Sequence, residues 1–290
     1  MLNLVCVGAC YLDTILSVPH FPEEDSKLRA TSLSVRRGGN CPNSLEVLQQ
    51  LLKAQEGEGH KVVRPYLISC LPSAEGPASA RVRDSFGPDS PVDFTRCIYR
   101  EQHDQPASSY IIRSEAAGTR TLVNYNDLPE MTVHEFQAAI DGLDRQNDMW
   151  VHFEGRIPET TLSCIQYLRH AVPKARVSVE VEKPGREGLQ ELAAEADVVV
   201  YSKSWAESNG YQSAHECLMA QSEVACRASL LLCTWGSEGA ASLSLPSKKC
   251  VSCPALRPGQ TVRVVEYVST TKHAHDPSSR TPHKPSLQVS

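Results

Sequence analysis

Six short runs, apolar almost from end to end, recur along this chain: Leu4–Gly8, Val62–Cys70, Met149–Phe153, Val177–Val181, Val198–Tyr201 and Leu230–Thr234. A strand with one face in water would alternate polar and apolar residues. Taken together these runs are short and mostly apolar, as strands covered on both faces should be. Helix-patterned segments lie between them. Leu45, Leu48, Leu51 and Leu52 form one apolar stripe. Thr132 and Glu135 have the spacing of a capping box ahead of Phe136 and Ile140. Pro158 opens a run whose Leu162, Ile165 and Leu168 share a face. The alternation predicts an α/β fold with a doubly wound, mostly parallel sheet.

Two stretches break this rhythm. Asp13–Arg37 and Arg96–Asn126 contain alternating, β-branched segments such as "KLRATSLSVRR", "SSYIIRSE" and "TRTLVNYN". They predict antiparallel hairpins that could join as one small sheet, either a β lid over a cleft or a plain surface insertion. From 267 to 290 the chain is rich in Ser, Thr, Pro and His without apolar periodicity, which predicts a disordered tail. Its His273 and His275 read as solvated residues.

Bulk properties narrow the function. A net charge of −5 over 290 residues argues against a nucleic-acid surface. The eleven cysteines are scattered, and Cys250 and Cys253 form a lone C-x-x-C without the second pair that a structural zinc needs. Packed, reduced thiols are expected. Asp13 interrupts the first apolar run, so the N-terminus reads as a strand and not a signal peptide. No run reaches membrane-spanning length, and a soluble cytoplasmic protein is expected.

"RRGGNCPNSLEVLQQLL", Arg36 to Leu52, places Gly-Gly-Asn at the mouth of a helix. Backbone donors there could face a phosphate, but the Lys and Ser/Thr of a P-loop are missing. Asn40 and Asn43 suit hydroxyl recognition, or simple helix capping. Asp13 follows the first strand and Asp25 lies in the first lid segment. Each is a candidate hydroxyl clamp or a turn residue.

These motifs resemble, in order, those of the ribokinase-like family of ATP-dependent carbohydrate kinases, and within it the ketohexokinases. The resemblance runs from about Leu4 to Glu266. It rests on "VCVGACYLDTILSVPHFPEEDSKLR", "RRGGNCPNS", "EAAGTRTLVNYN", "WVHFEGR", "RVSVEVEKPGREGLQEL" and "CTWGSEGA". Many relatives carry Asn-x-x-Glu after the strand that here reads "DVVVYSKSWAE". Lys203 occupies that region instead, as in ketohexokinases. The resemblance implies a kinase that uses ATP, Mg2+ and potassium to phosphorylate fructose or a related ketose at a primary hydroxyl. Ribose and nucleoside kinases are the close alternatives. It implies sugar contacts from Asp13, Asp25, Gly39, Asn40 and Asn43, and phosphate or nucleotide contacts from Arg120, Lys203, Gly236, Ser237 and Gly239. Glu154 would position magnesium through water. It also implies a dimer joined through the lid.

The family's catalytic element, Gly-Ala-Gly-Asp opening a long helix, is expected just after "VRVVE". Tyr267-Val268-Ser269-Thr270-Thr271-Lys272 follows instead. The resemblance therefore implies a kinase body over 1–266 that is incomplete at its C-terminal end. It further implies no catalytic base and apolar surface left bare by missing helices. An inactive or very weak enzyme, or a non-catalytic isoform that binds sugar or pairs with a full-length kinase, is expected.

Overall fold

A computed structural model describes residues 1–54 and 62–255. The segment "TVRVVEY", which the sequence pattern reads as a strand, the change of sequence after Glu266, and the tail with His273 and His275 lie outside the described residues.

The chain is mixed α/β. Its main sheet has eight strands in the order β14-β13-β12-β11-β10-β9-β1-β4. These are β1 (Leu2–Val7), β4 (Val63–Ile68), β9 (Asp148–Phe153), β10 (Arg176–Val181), β11 (Val198–Tyr201), β12 (Leu230–Thr234), β13 (Ala240–Ser244) and β14 (Lys249–Cys253). The six from β4 to β12 are parallel, and β13 and β14 close that edge antiparallel. After β1 the chain builds β4 on one side and β9, β10, β11 and β12 on the other. The sheet therefore has a switch point between β1 and β9, where strand ends part and leave a crevice.

Helices α1 (Asn40–Ala54) and α2 (Pro77–Asp84) cover β1 and β4 on one face. On the other, α3 (Val133–Asp141), α4 (Pro158–Ala171) and α5 (Leu189–Glu195) pack side by side, with α6 (Lys203–Ser208) and α7 (Ala214–Gln221) beyond them. That second layer encloses the larger core, which includes Val151, Phe153, Val177, Val179, Val199, Tyr201 and Leu231.

Among the described residues the two faces of β9 to β12 differ in burial. Val151, Val177, Val199 and Leu231 are buried, but Trp150, Val200, Leu230 and Leu232, which point to the opposite face, are only half-buried. No described helix lies over them.

Three expectations need correction. The run Val62–Cys70 is two strands: β4 ends at Ile68, and β5 (Cys70–Pro72) pairs with β6 (Ile98–Arg100) in a separate two-stranded sheet. That pairing removes β6 from the lid. The lid is β2 (Tyr11–Val18), β3 (Ser32–Gly38), β7 (Ser108–Ser114) and β8 (Arg120–Tyr125), in the order β3-β2-β7-β8. Its two hairpins are antiparallel as expected, but they join through a parallel β2–β7 pair, with Leu12 facing Ser108, because both strands run outward from the body. In α1, Leu51 is exposed and Gln49 is buried in its place. Gln49 donates to the Phe86 carbonyl (3.1 Å) and accepts from Ser90 Oγ (2.7 Å).

The capping box at α3 is present: Thr132 Oγ1 accepts from the Glu135 amide, and the Glu135 carboxylate accepts from the Thr132 amide. Glu135 is also paired with Arg100 of β6, so the cap ties the small sheet to the helix layer. Thr132→Ala should lower the unfolding free energy by about 1 kcal/mol, read by urea denaturation; an unchanged midpoint would show that the cap contributes nothing.

Candidate functional site

The strand ends at the switch point carry the site. Past β1, the Ala9 amide donates to Glu154 Oε2 at 2.8 Å, tying the end of β1 to the end of β9. Glu154 is enclosed. Burial, reinforced by the charge of Glu180, pushes its carboxyl up to about 7. The chain then turns through β2 and returns along β3 to Gly38, Gly39 and the start of α1. A Cβ at Gly38 would stand 2.5 Å from Asp13 Oδ2, so the absence of a side chain there makes room for that carboxylate. Gly39 has φ +104°, and a Cβ there would strike the Ala9 carbonyl oxygen. These two glycines let the β3–α1 turn press against the end of β1.

Asp13 is buried in the lid. Register places Arg36, Asp13, Ser109 and Asn124 in one row across β3, β2, β7 and β8. Burial raises the Asp13 pKa, opposed by a hydrogen bond from Ser109 and the charge of Arg36. Asn40 opens α1, and its Nδ2 donates to Glu180 Oε2 (2.8 Å) and Glu182 Oε2 (2.9 Å) at the end of β10. Asn43 Oδ1 accepts from Arg37 at 3.2 Å.

Asp13, Gly39, Asn40 and Glu154 are thus gathered around the ends of β1, β9 and β10, and Asn43 follows about one helical turn after Asn40, held by Arg37. Asp25 is not gathered with them in this chain. It is exposed, with φ 56°, in the β2–β3 connection at the opposite end of that hairpin from Asp13. Arg120 lies on the lid face that carries Asp13, paired in register with Arg113, four residues along β7 from Ser109. At about 3.3 Å per residue that is roughly 13 Å away.

The nucleotide-side candidates form their own group two strands further along. Lys203 begins α6 after β11. Its Nζ lies 5.5 Å from the centre of the Trp235 ring, 3.5 Å from Glu207 and 4.0 Å from Glu238. Gly236, exposed Ser237 and Gly239 form the turn after β12. A Cβ at Gly236 would meet nothing nearer than Lys203 Cδ at 3.9 Å, so its backbone faces open space beside the lysine. Gly239, by contrast, is packed against Cys253 and Ala255.

Several residues around the site escaped sequence reasoning. Glu180 and Glu182 alternate along "VEVE" and so share a face. His152 sits between Ser178 Oγ (2.9 Å) and Glu180 Oε1 (3.1 Å). Burial alone would push His152 down, but its contact with Glu180 raises it overall. Arg156 pairs with Glu130 and donates to the Tyr11 hydroxyl (2.8 Å) at the lid base. Among the described residues, no three His, Cys, Asp or Glu side chains are grouped to hold a metal ion directly. No described helix is long and apolar enough to cross a membrane.

Residues 1–265 match the pfkB family of carbohydrate kinases. The chain belongs to this family. It is 31% identical over 272 residues to ketohexokinase from Mus musculus, covering 90% of this chain and 83% of the relative. Among solved structures it is similar to Arabidopsis thaliana ribokinase complexed with ribose and ATP, with TM-score 0.66 and 15% identity over 89% of this chain and 79% of that one. It is also similar to phosphofructokinase-2 from Escherichia coli in complex with fructose-6-phosphate, with TM-score 0.64 and 15% identity over 89% and 82%. Those two likenesses concern the fold alone. As a pfkB kinase the chain is a sugar phosphotransferase by lineage, with ATP as the family's phosphoryl donor and a metal ion as its helper.

Glu154 allows a direct test of this geometry. Its folded pKa lies above the ordinary carboxylate value, so it favours the native state below about pH 4.5 and that contribution is lost as pH rises through 7. Glu154→Gln, which never ionises, should gain on the wild type by on the order of 1–3 kcal/mol between pH 5 and pH 8. Urea denaturation at the two pH values measures the difference; equal pH slopes would show that Glu154 is not held in the enclosed cluster.

Proposed function

We propose that this chain is a ketohexokinase-type kinase body that binds fructose or a related ketose in the switch-point crevice but transfers phosphate from ATP poorly or not at all. The observation that carries the reading is the convergence of Asp13, Gly39, Asn40 and Asn43 on one crevice, in a chain 31% identical to a ketohexokinase. Carboxylate and amide groups on rigid element ends are what polyol recognition needs. The open backbone at Gly236, beside Lys203, fits an incoming phosphate chain. Asp25 and Arg120, at the outer end of the lid, would join only a ligand long enough to reach them.

Magnesium fits less directly. Glu154 already accepts from Ala9, so it would hold the ion through water, with Glu180 and Glu182 adding negative charge nearby. The ion, with potassium as a possible helper, would neutralise charge on the transferring phosphoryl group.

The weak-activity reading rests on chemistry. No glycine occurs after Gly259, so Gly-Ala-Gly-Asp does not follow Glu266. A general base contributes about 10²–10⁴ in rate, and an anion hole on the order of 10²–10³. A second reading has its own support. The lid's outer face exposes Leu33, Val35, Tyr110, Val123 and Tyr125, the first and fourth by 65% and 63%. An apolar patch of this kind fits a dimer through the lid, with a second copy or with a full-length kinase. A cytoplasmic location fits both readings, and ribose or a nucleoside is the competing substrate.

Fructose should raise the melting temperature of the protein, and Asp13→Ala should abolish that rise; ribose producing the larger rise would overturn the ketose assignment. A coupled ADP-release assay with fructose and ATP should stay at background, and steady turnover would refute the weak-activity reading. Size-exclusion chromatography should give a dimer that Val123→Arg converts to monomer. A wild-type monomer would remove the lid interface.

A further inference from the structure

A side-chain amide has an acceptor at one end and donors at the other, so the end facing a crevice decides what a ligand must present. At Asn40 the protein partners are two carboxylates, which accept. Nδ2 therefore points to Glu180 and Glu182, and Oδ1 receives no donor among the described residues. At Asn43 the partner is a guanidinium, which donates. Arg37 therefore takes Oδ1 and leaves Nδ2 available. Amide ends are often assigned only by choice. Here the partners' chemistry permits one choice each, and the two choices are opposite.

Both partners are held from behind. Glu180 Oε1 faces His152 Nε2 at 3.1 Å, so that nitrogen carries a proton. Ser178 Oγ accepts from Trp150 Nε1 at 2.8 Å and lies 2.9 Å from His152 Nδ1. With a neutral imidazole the Ser178 hydroxyl donates to Nδ1; with imidazolium it accepts from Nδ1. Either state leaves Nε2–H on Glu180 and the other carboxylate oxygen for Asn40. Arg37 is buried, stacked 3.9 Å over the Phe86 ring, donating to Ser85 Oγ (3.0 Å) and paired with Glu46.

We infer that Asn40 and Asn43 present the ligand with one fixed acceptor and one fixed donor, and that His152 and Arg37 are the positioning residues that set this polarity. This deepens the sugar-binding reading and rests on it for the ligand. The matching ligand is a polyol that donates one hydroxyl proton to Asn40 Oδ1 and offers an oxygen lone pair to Asn43 Nδ2. An ether or carbonyl oxygen in the first place would face Oδ1 with no proton between them.

The test has two readouts. In nitrogen-15 NMR spectra of the unliganded protein, the Asn40 side-chain amide protons should lie downfield and move upfield in Glu180→Gln. In calorimetry with fructose, Glu180→Gln and His152→Leu should each weaken binding about five- to tenfold, the size of one hydrogen bond. His152→Gln, which can still donate to Glu180, should stay within about twofold of wild type. Arg37→Met should weaken binding similarly, and Arg37→Lys should recover part of it. Asn40 protons indifferent to Glu180→Gln, or unchanged fructose affinity in folded Glu180→Gln and His152→Leu, would overturn the inference. A wild type that ignores fructose yet keeps the Glu180-dependent Asn40 signals would support the fixed polarity and overturn only the ketose.

Discussion

The hydrogen bond from the Ala9 amide to Glu154 is the contact on which the crevice depends. It joins the first strand to one nearly 150 residues later, where the direction of sheet building reverses. Strand ends diverge at such a point, and something must satisfy the polar groups they leave. Here a carboxylate does so at the cost of its own desolvation, which pushes its carboxyl up to about 7. The neighbouring turn at Gly38 and Gly39 can press in because neither residue carries a side chain. Asp13, Asn40 and Asn43 take their places from that close approach.

Around this point the protein places charge in layers. The sheet contributes Glu154, Glu180 and Glu182 from below, and the lid contributes Asp13 with Arg36 beside it in register. Arg37 is stacked beneath α1 and Arg156 is tied to Glu130. Such an arrangement offers donors and acceptors of fixed orientation. The polar group at Asn40 and the group at Lys203 stand apart along one row of strand termini.

Much of the fold was legible because a parallel strand announces itself by an apolar run and a helix by its caps. Thr132 and Glu135, or Pro158, needed no tertiary information. The corrections came where distant contacts decide. Gln49 is buried and Leu51 exposed because Phe86 and Ser90 supply partners some 40 residues away. The split of Val62–Cys70 depends on β6. In the candidate site Gly39 and Asn40 stand in one local motif, whereas Asp13 comes well before them and meets Gly38 only through the β2–β3 pairing. Nothing in "RRGGNCPNS" tells which end of Asn40 faces inward, because the carboxylates that decide it lie 140 residues further on. Arg37 reads as a surface cation until Phe86 is brought beneath it.

The parallel pair at the centre of the lid has a consequence in time. Leu12 meets Ser108 only after the chain between them has made α1, β4, β5 and α2. Each hairpin can form early from local contacts, but their union must await closure of a loop nearly a third of the chain long. The lid should thus be among the last parts to assemble on the ribosome-released chain and among the first to come apart. For a while the newly made protein would hold a finished sheet with its cover still in two pieces.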